Sequence, residues 1–388
     1  MGWGMLSLTP YIPFVLVCFL TLPRILTQSF ILLAIPFLIR ELNLSDLQAQ
    51  FLFPTLLAGV ILFLIPAGKL GDIFGSRKTL ILSSYVFVIG ALVAGFTKSV
   101  YLFFPALFLL GATAAFSMTQ GSAYITEIFP FRLRGRIIGL FTGLISLSFF
   151  MGPVLGGLIA HLGQKGVFLT MLPFFILALL LSNFLPKVQR EDPKIVKIEY
   201  KDFLQPSFLS HCFIALSWQS IISLLIFFPA EFQLTLGYSP FEAGILFAIL
   251  ALPFPVFSPV AGWIFDRVGS RIPYSIGYIS LGIGWILSYY RFDNESLVVL
   301  AFALAFVIPV TASASWGFFN QKSRSTATSI YYLLRFFGSI MGSLIAGYLL
   351  VQKNLGVEFF LVNYTLAIGL ALLSAPAFYF AWKNPGKK

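Results

Sequence analysis

Two groups of residues in this chain sit where their chemistry would be costly unless it were used. The first is the stretch "AGKLGDIFGSRK", Ala67–Lys78, which places Lys69, Asp72, Arg77 and Lys78 among glycines between two long apolar runs. The second is a set of polar side chains inside apolar runs. Thr21, Arg24 and Gln28 follow one another at helical spacing, so one helix face would carry all three. Thr113, Ser117, Gln120 and Tyr124 do the same further on, and Trp218, Gln219 and Ser223 again. Thr311, Ser315, Trp316 and Asn320 form a fourth set. An arginine at the middle of a bilayer costs at least ~2.5–3.5 kcal/mol, so Arg24 should face water, a ligand or a partner. Read as a substrate-facing cation, it favours anionic or polar ligands; read as structure, it is a paired or snorkelling side chain. Acids are sparse: Glu231 in an apolar run and Glu127 at the end of another are the two carboxyls placed to move a proton. Each can equally be an interfacial, solvated group. No nucleophile–base set, metal cluster or nucleotide loop accompanies them, so neither an enzyme nor a cofactor is expected. Cys18 and Cys212 both lie in apolar runs and offer no disulfide framework.

The elements that would hold these residues are set by composition. Hydrophobic residues are 59% of the chain and charged residues 10%, against roughly 45–50% and 25% in soluble domains. The expected class is an all-α integral membrane protein, because helices satisfy their own backbone groups in lipid. Twelve spans are read, near 11–39, 46–67, 78–97, 101–126, 136–160, 166–185, 208–236, 241–265, 273–290, 296–320, 326–350 and 357–382. The first run is long and lacks a small-residue cleavage site, so no cleavable signal is expected. The polar segment 186–207 divides the chain into bundles of six helices at 1–185 and 208–388, the second with a short tail.

The net charge of +11 is spread singly between the runs, which suits topology rather than nucleic acid. Arg40, Lys98, Lys165, Arg291 and Lys353 fall on one side of this scheme, and Arg24 and Arg335 within spans. All other Lys and Arg fall on the opposite side, in the linker and with both termini. The positive-inside rule makes that side cytoplasmic, and the expected location is the plasma membrane.

The opening stretch recurs. Residues 261–272 read "AGWIFDRVGSRI", repeating Ala67, Gly68, Asp72, Gly75, Ser76 and Arg77 at an offset of 194 residues, half of the 388-residue chain. Ser45/Ser239, Ala49/Ala243, Phe53/Phe247 and Gly90/Gly284 keep the same offset, whereas Arg134/Arg324, Gly152/Gly342 and Gly157/Gly347 align at 190. A fixed offset is the mark of a duplicated fold. Gly68 would allow a close helix approach and Gly75 a positive φ in a short turn. Asp72 can cap a helix or pair with an arginine, while Arg77 and Lys78 meet anionic headgroups. We read Asp72 as a latch that ties the halves together in one state and releases them in another; a turn that only fixes topology is the plainer reading. The second copy keeps Asp266, Gly269 and Arg271 but has Ile272 in place of Lys78.

With these motifs the chain resembles the major facilitator superfamily over essentially its whole length. "GKLGDIFGSRK" is similar to that family's loop between spans 2 and 3, "GWIFDRVGSR" to the copy between spans 8 and 9, and "YITEIFPFRLRG" to a sugar-transporter-like segment containing Glu127 and Arg134. "GLFTGLISLSFFMGPVLGG" resembles the glycine pattern of drug:proton antiporters, with Gly139, Gly152, Pro153, Gly156 and Gly157 in place and Ser148 standing for a glycine. "FFPAEFQLTLGYSPFEAGILF" and "LRFFGSIMGSLIAG", which contains Arg335, are similar to further multidrug segments, with Glu231 replacing a tyrosine. The resemblance implies two pseudo-symmetric six-helix bundles working by rocker-switch alternating access. Spans 1, 4, 7 and 10 would then line a substrate cavity containing the four polar sets above, with Arg335 in structure or gating. Leu107 and Thr27 stand where the drug branch carries an arginine and an aspartate linked to proton coupling, so the coupling ion stays open. The leading expectation is export of hydrophobic or amphipathic small molecules as a multidrug antiporter. The alternatives are uptake or facilitated diffusion of a polar or anionic metabolite such as a sugar or organic anion, and a non-transporting membrane sensor. The expected partners are a small-molecule substrate, the lipid bilayer and protons if transport is coupled; nucleic acid is not among them, and the chain is expected to be a monomer.

Overall fold

A computed structural model of the chain describes residues 11–129, 141, 144, 148, 151–159, 162–186, 204–290, 294–316, 324–351 and 358–383. Gly139, Arg134, Asn320 and most of the expected linker lie outside the described residues. The side chains of Asp72 and Trp316 do too.

The described chain is helical throughout. The first half runs through α1 (Tyr11–Glu41), α2 (Asp46–Phe74), α3 (Ser76–Phe96) and α4 (Val100–Phe116). A π turn (Ser117–Gly121) leads into α5 (Ser122–Ile128), followed by α6 (151–159), α7 (Gly163–Leu169) and α8 (Leu172–Leu181). The second half holds α9 (Pro206–Leu224), α10 (Phe228–Leu234), α11 (Pro240–Ala251), α12 (Pro253–Val268) and α13 (Arg271–Tyr290). It ends with α14 (Asn294–Trp316), α15 (Arg324–Val351), α16 (Glu358–Leu373) and α17 (Ala375–Lys383).

Among the described residues, 8 helical spans are long and apolar enough to cross a membrane. They fall at the first four, the sixth, seventh, tenth and eleventh expected spans. The twelfth is the bent pair Leu361–Leu373 and Ala375–Ala381, which meet at 44°. The eighth is broken at Leu252 between α11 and α12. Pro253 has no N–H to give the Ile249 carbonyl, so the Leu252 N–H takes it at 3.2 Å and the turn tightens. The same chemistry acts in the seventh span, where Pro229 deprives Leu225 of a donor and a 3₁₀ turn, Leu225–Phe227, joins α9 to α10. Most of the fifth span lies outside the described residues.

Packing divides the chain into two compact units, Met1–Asn43 with Ala58–Lys194, and Leu44–Leu57 with Ile195–Lys388. The first has a core of Phe14, Val17, Leu20, Leu80, Tyr124 and Ile125, all buried. In the second, Phe208, Cys212, Ala215 and Tyr331 cluster. Glycines permit the tightest helix approaches. A methyl group added at Gly342 or Gly338 on α15 would collide with the carbonyl of Ser220 or Leu216 on α9. At the position corresponding to Gly342, 190 residues earlier, Gly152 faces Ser29 of α1, and Gly156 beside it faces Phe30. The glycine run at 152–157 therefore serves close packing within its own unit.

Candidate functional site

The turn between α2 and α3 is built as its glycine requires. Gly75 has φ 89°, and its counterpart Gly269 has φ 78°, a region that side-chain-bearing residues rarely enter. Beyond Gly75 three side chains fasten the turn. The Ser76 hydroxyl donates to the Glu127 carboxylate. Arg77 Nη2 donates to the Ser182 carbonyl at 3.4 Å, and Thr79 Oγ1 to the Gly75 carbonyl at 2.9 Å. Close by, the Tyr124 hydroxyl donates to the Pro186 carbonyl at 2.8 Å. The two sequence motifs of this half thus meet through Ser76 and Glu127, while Lys78 is exposed.

The close approach expected at Gly68 is not made, since a Cβ there would meet open space. The crowded glycine is Gly71, whose missing side chain leaves room for Gln120. Gln120 uses that room to donate from Nε2 to the Ala67 carbonyl at 2.7 Å. In the second copy, Asp266 and Arg271 are exposed, and the Arg267 guanidinium lies 3.9 Å from the Trp263 ring centroid.

Arg24 is 1% exposed. Its Nη1 donates to the Thr113 carbonyl at 3.0 Å and to the Ser117 hydroxyl, and its Nη2 to the Ser84 hydroxyl. The guanidinium carbon lies 5.2 Å from the Phe175 ring centroid and 5.9 Å from that of Phe87. Those two rings stack on each other at 4.4 Å. The cation is therefore enclosed by α1, α3, α4 and α8 of its own unit. Its Nε has no hydrogen-bond partner among the described residues, and neither do Thr21 Oγ1 and Gln28 Nε2 on the same face of α1.

A π turn lies next to this arrangement. The Thr113 carbonyl accepts from Arg24 and from the Ser117 hydroxyl at 3.2 Å. The Ser117 N–H still donates to that carbonyl, and the π turn Ser117–Gly121 begins there.

In the second unit most of the polar set is hydrogen-bonded, while Trp218 Nε1 has no partner among the described residues. Gln219 accepts from Arg335 Nε at 2.7 Å, and Ser223 shares a 2.6 Å hydrogen bond with Ser339. Thr311 pairs with the Tyr331 hydroxyl at 2.8 Å, and Ser315 donates to the Ala312 carbonyl at 2.8 Å. Trp218 is fully buried and meets Tyr278 edge-on at 5.1 Å. His211 Nδ1 lies 2.7 Å from the Tyr274 hydroxyl. Glu231 is 5% exposed and accepts from Thr235. Ser84, Ser339 and Tyr331 were not among the expected site residues. Each lies in an apolar run with nothing in its local pattern to distinguish it from a packing residue.

Among the described residues no group of three or more His, Cys, Asp or Glu could hold a metal ion. Among the described residues, the first unit thus holds an enclosed cation, Arg24, and the second a buried carboxyl, Glu231.

Comparisons with known proteins agree with this layout. The family model described as Major Facilitator Superfamily matches twice, over residues 17–228 and 207–388. Multidrug resistance protein 1 of Bacillus subtilis (strain 168) is 24% identical over 372 residues, covering 90% of this chain and 91% of the relative. Riboflavin transporter RibZ of Clostridioides difficile (strain 630) is 25% identical over 244 residues, covering 62% of this chain and 51% of the relative; the match spans about half of that protein. Among solved structures, a bacterial homologue of the human lysosomal transporter Spinster superposes with a TM-score of 0.78 at 17% identity, covering 98% of each chain.

Proposed function

The chain belongs to the Major Facilitator Superfamily, and on that premise we propose that this multi-pass membrane transporter exports hydrophobic or amphipathic small molecules by rocker-switch alternating access. The observation that carries this reading is the near-full-length match to multidrug resistance protein 1. The residues assigned to the substrate are Thr21, Gln28, Ser117 and Gln120 in the first unit, and Gln219, Ser223, Thr311 and Ser315 in the second. Glu231 is assigned to proton coupling, as a buried carboxyl with one hydroxyl partner, Thr235, among the described residues. The proposed location is the plasma membrane with both termini cytoplasmic, following the bias of Lys and Arg.

Expression in an efflux-deficient host tests the reading. It should raise tolerance to several chemically unrelated toxic compounds, and collapse of the proton gradient should remove the gain. Unchanged tolerance would overturn it.

A second reading is uptake of a polar or anionic metabolite, favoured by the partial match to a riboflavin transporter. In the same host it would appear as faster accumulation of a labelled metabolite with no change in tolerance.

A further inference from the structure

The first unit carries a groove of about 550 Å³ lined by α2, α3 and α4. Its walls are apolar: Phe63, Leu70 and Phe74 from α2, Leu82 from α3, Leu109 and Phe116 from α4. Several of these side chains are open to the surroundings, with Leu82 65% and Phe74 59% exposed. On helices that cross a bilayer, an open apolar cleft faces acyl chains rather than water. Along α3 the groove runs from Lys78 to Val86, about 12 Å of helix axis. That is close to one leaflet of a ~30 Å hydrocarbon core.

The end at the Gly75 turn is different in kind. Lys78 lines it and is exposed, with no hydrogen bond or ion pair among the described residues. Arg77 beside it is turned inward to Ser182, and Glu127 is engaged by Ser76. A single outward cation therefore caps an apolar slot of leaflet depth. The corresponding positions in the second half carry Ile272 for Lys78 and Pro273 for Thr79, so the duplication did not keep this feature.

We propose that the groove holds one acyl chain of an anionic phospholipid from the leaflet on the side of the α2–α3 turn, with the Lys78 ammonium on its phosphate. Charge complementarity selects the headgroup, and the length and apolar lining select the chain. The lipid would fill the cleft between α2, α3 and α4 beside the Gly75 turn, which makes it a structural ligand of this half and not a transported one.

The test uses the full-length protein reconstituted in phosphatidylcholine vesicles doped with phosphatidylglycerol, then extracted and weighed intact by native mass spectrometry. Wild type should retain one phosphatidylglycerol per chain, preferred over phosphatidylcholine by about fivefold, the contribution of one lysine at a membrane surface. Lys78→Gln should erase the preference and Lys78→Arg should keep it. Leu82→Trp, at a position exposed enough not to disturb the core, should lower retention of both lipids. Retention without headgroup preference in wild type would overturn the proposal. So would an unchanged preference in Lys78→Gln, or equal loss in Lys69→Gln, whose cation lies outside the groove lining. Displacement of the retained lipid by an exported compound would identify a substrate route and overturn the lipid assignment.

Discussion

Arg24 and Trp218 stand 194 residues apart, the offset that relates the two glycine–aspartate turns, and they are the largest fully buried side chains of their respective halves. Each reaches the third span of its half at corresponding positions, Ser84 on α3 for Arg24 and Tyr278 on α13 for Trp218. The duplication preserved a large side chain in the interior of both halves and exchanged its chemistry. One half uses a cation with hydroxyl and carbonyl partners, and the other an edge-on aromatic pair.

That exchange predicts how Arg24 tolerates change. A buried cation carries a desolvation cost that an apolar side chain of similar length avoids. Arg24→Met should leave thermal stability in detergent within about 1 kcal/mol of wild type or raise it. Arg24→Ala, which leaves a cavity beneath Phe87 and Phe175, should lower it by about 3 kcal/mol. Thermal unfolding of the two variants side by side checks the contrast.

Gly342 and Gly338 should be intolerant because the obstruction is backbone. Gly342→Ala should cost about 1–3 kcal/mol through displacement of α15 from the Ser220 carbonyl. Gly262→Ala, where a Cβ meets open space, should be neutral in the same unfolding assay.

The Ser76–Glu127 hydrogen bond should behave as a coupled pair. Ser76→Ala, Glu127→Gln and the double variant should show a coupling energy of about 1–2 kcal/mol in unfolding measurements. Additive effects would show that the two motifs meet without depending on each other.

Asp72 should matter more than Asp266. Asp72→Asn should slow transport about tenfold if the carboxylate biases one state over another by a typical coupling energy, and Asp266→Asn should slow it less. Flux in proteoliposomes with matched protein content measures both, and wild-type flux in Asp72→Asn would remove the latch.

Glu231→Gln should abolish proton movement driven by substrate, read with a pH-sensitive dye in proteoliposomes. Substrate binding should persist, since Gln keeps an acceptor for Thr235. A wild-type dye response would free Glu231 from the coupling role.

Much of this architecture is legible in the sequence. Long apolar runs announced the crossing helices because lipid leaves few other options, and Gly75 announced its positive φ because a very short turn needs one. The direction of Arg24 was not legible. Helical spacing places Thr21, Arg24 and Gln28 on one face of α1, but only packing decides that the face meets Ser117 and Gly121 and that the guanidinium enters between α3 and α8. Gly68 and Gly71 show the same limit: both fit a close approach by type, and the position of Gln120 decides which one is used. The breaks at Leu225–Phe227 and Leu252 trace to prolines that the sequence displayed openly, although a hydropathy reading passes over them.

The π turn at Ser117–Gly121 has an effect on phase. A widened turn holds one residue more than an α-turn, so everything after it is rotated by about 100° relative to an uninterrupted helix. Tyr124 and Glu127 therefore reach Pro186 and Ser76 from a rotated register, whereas Thr113 upstream and Ser117 at the start of the turn keep the register that meets Arg24. One continuous span thereby addresses two different neighbours from what would otherwise be one face.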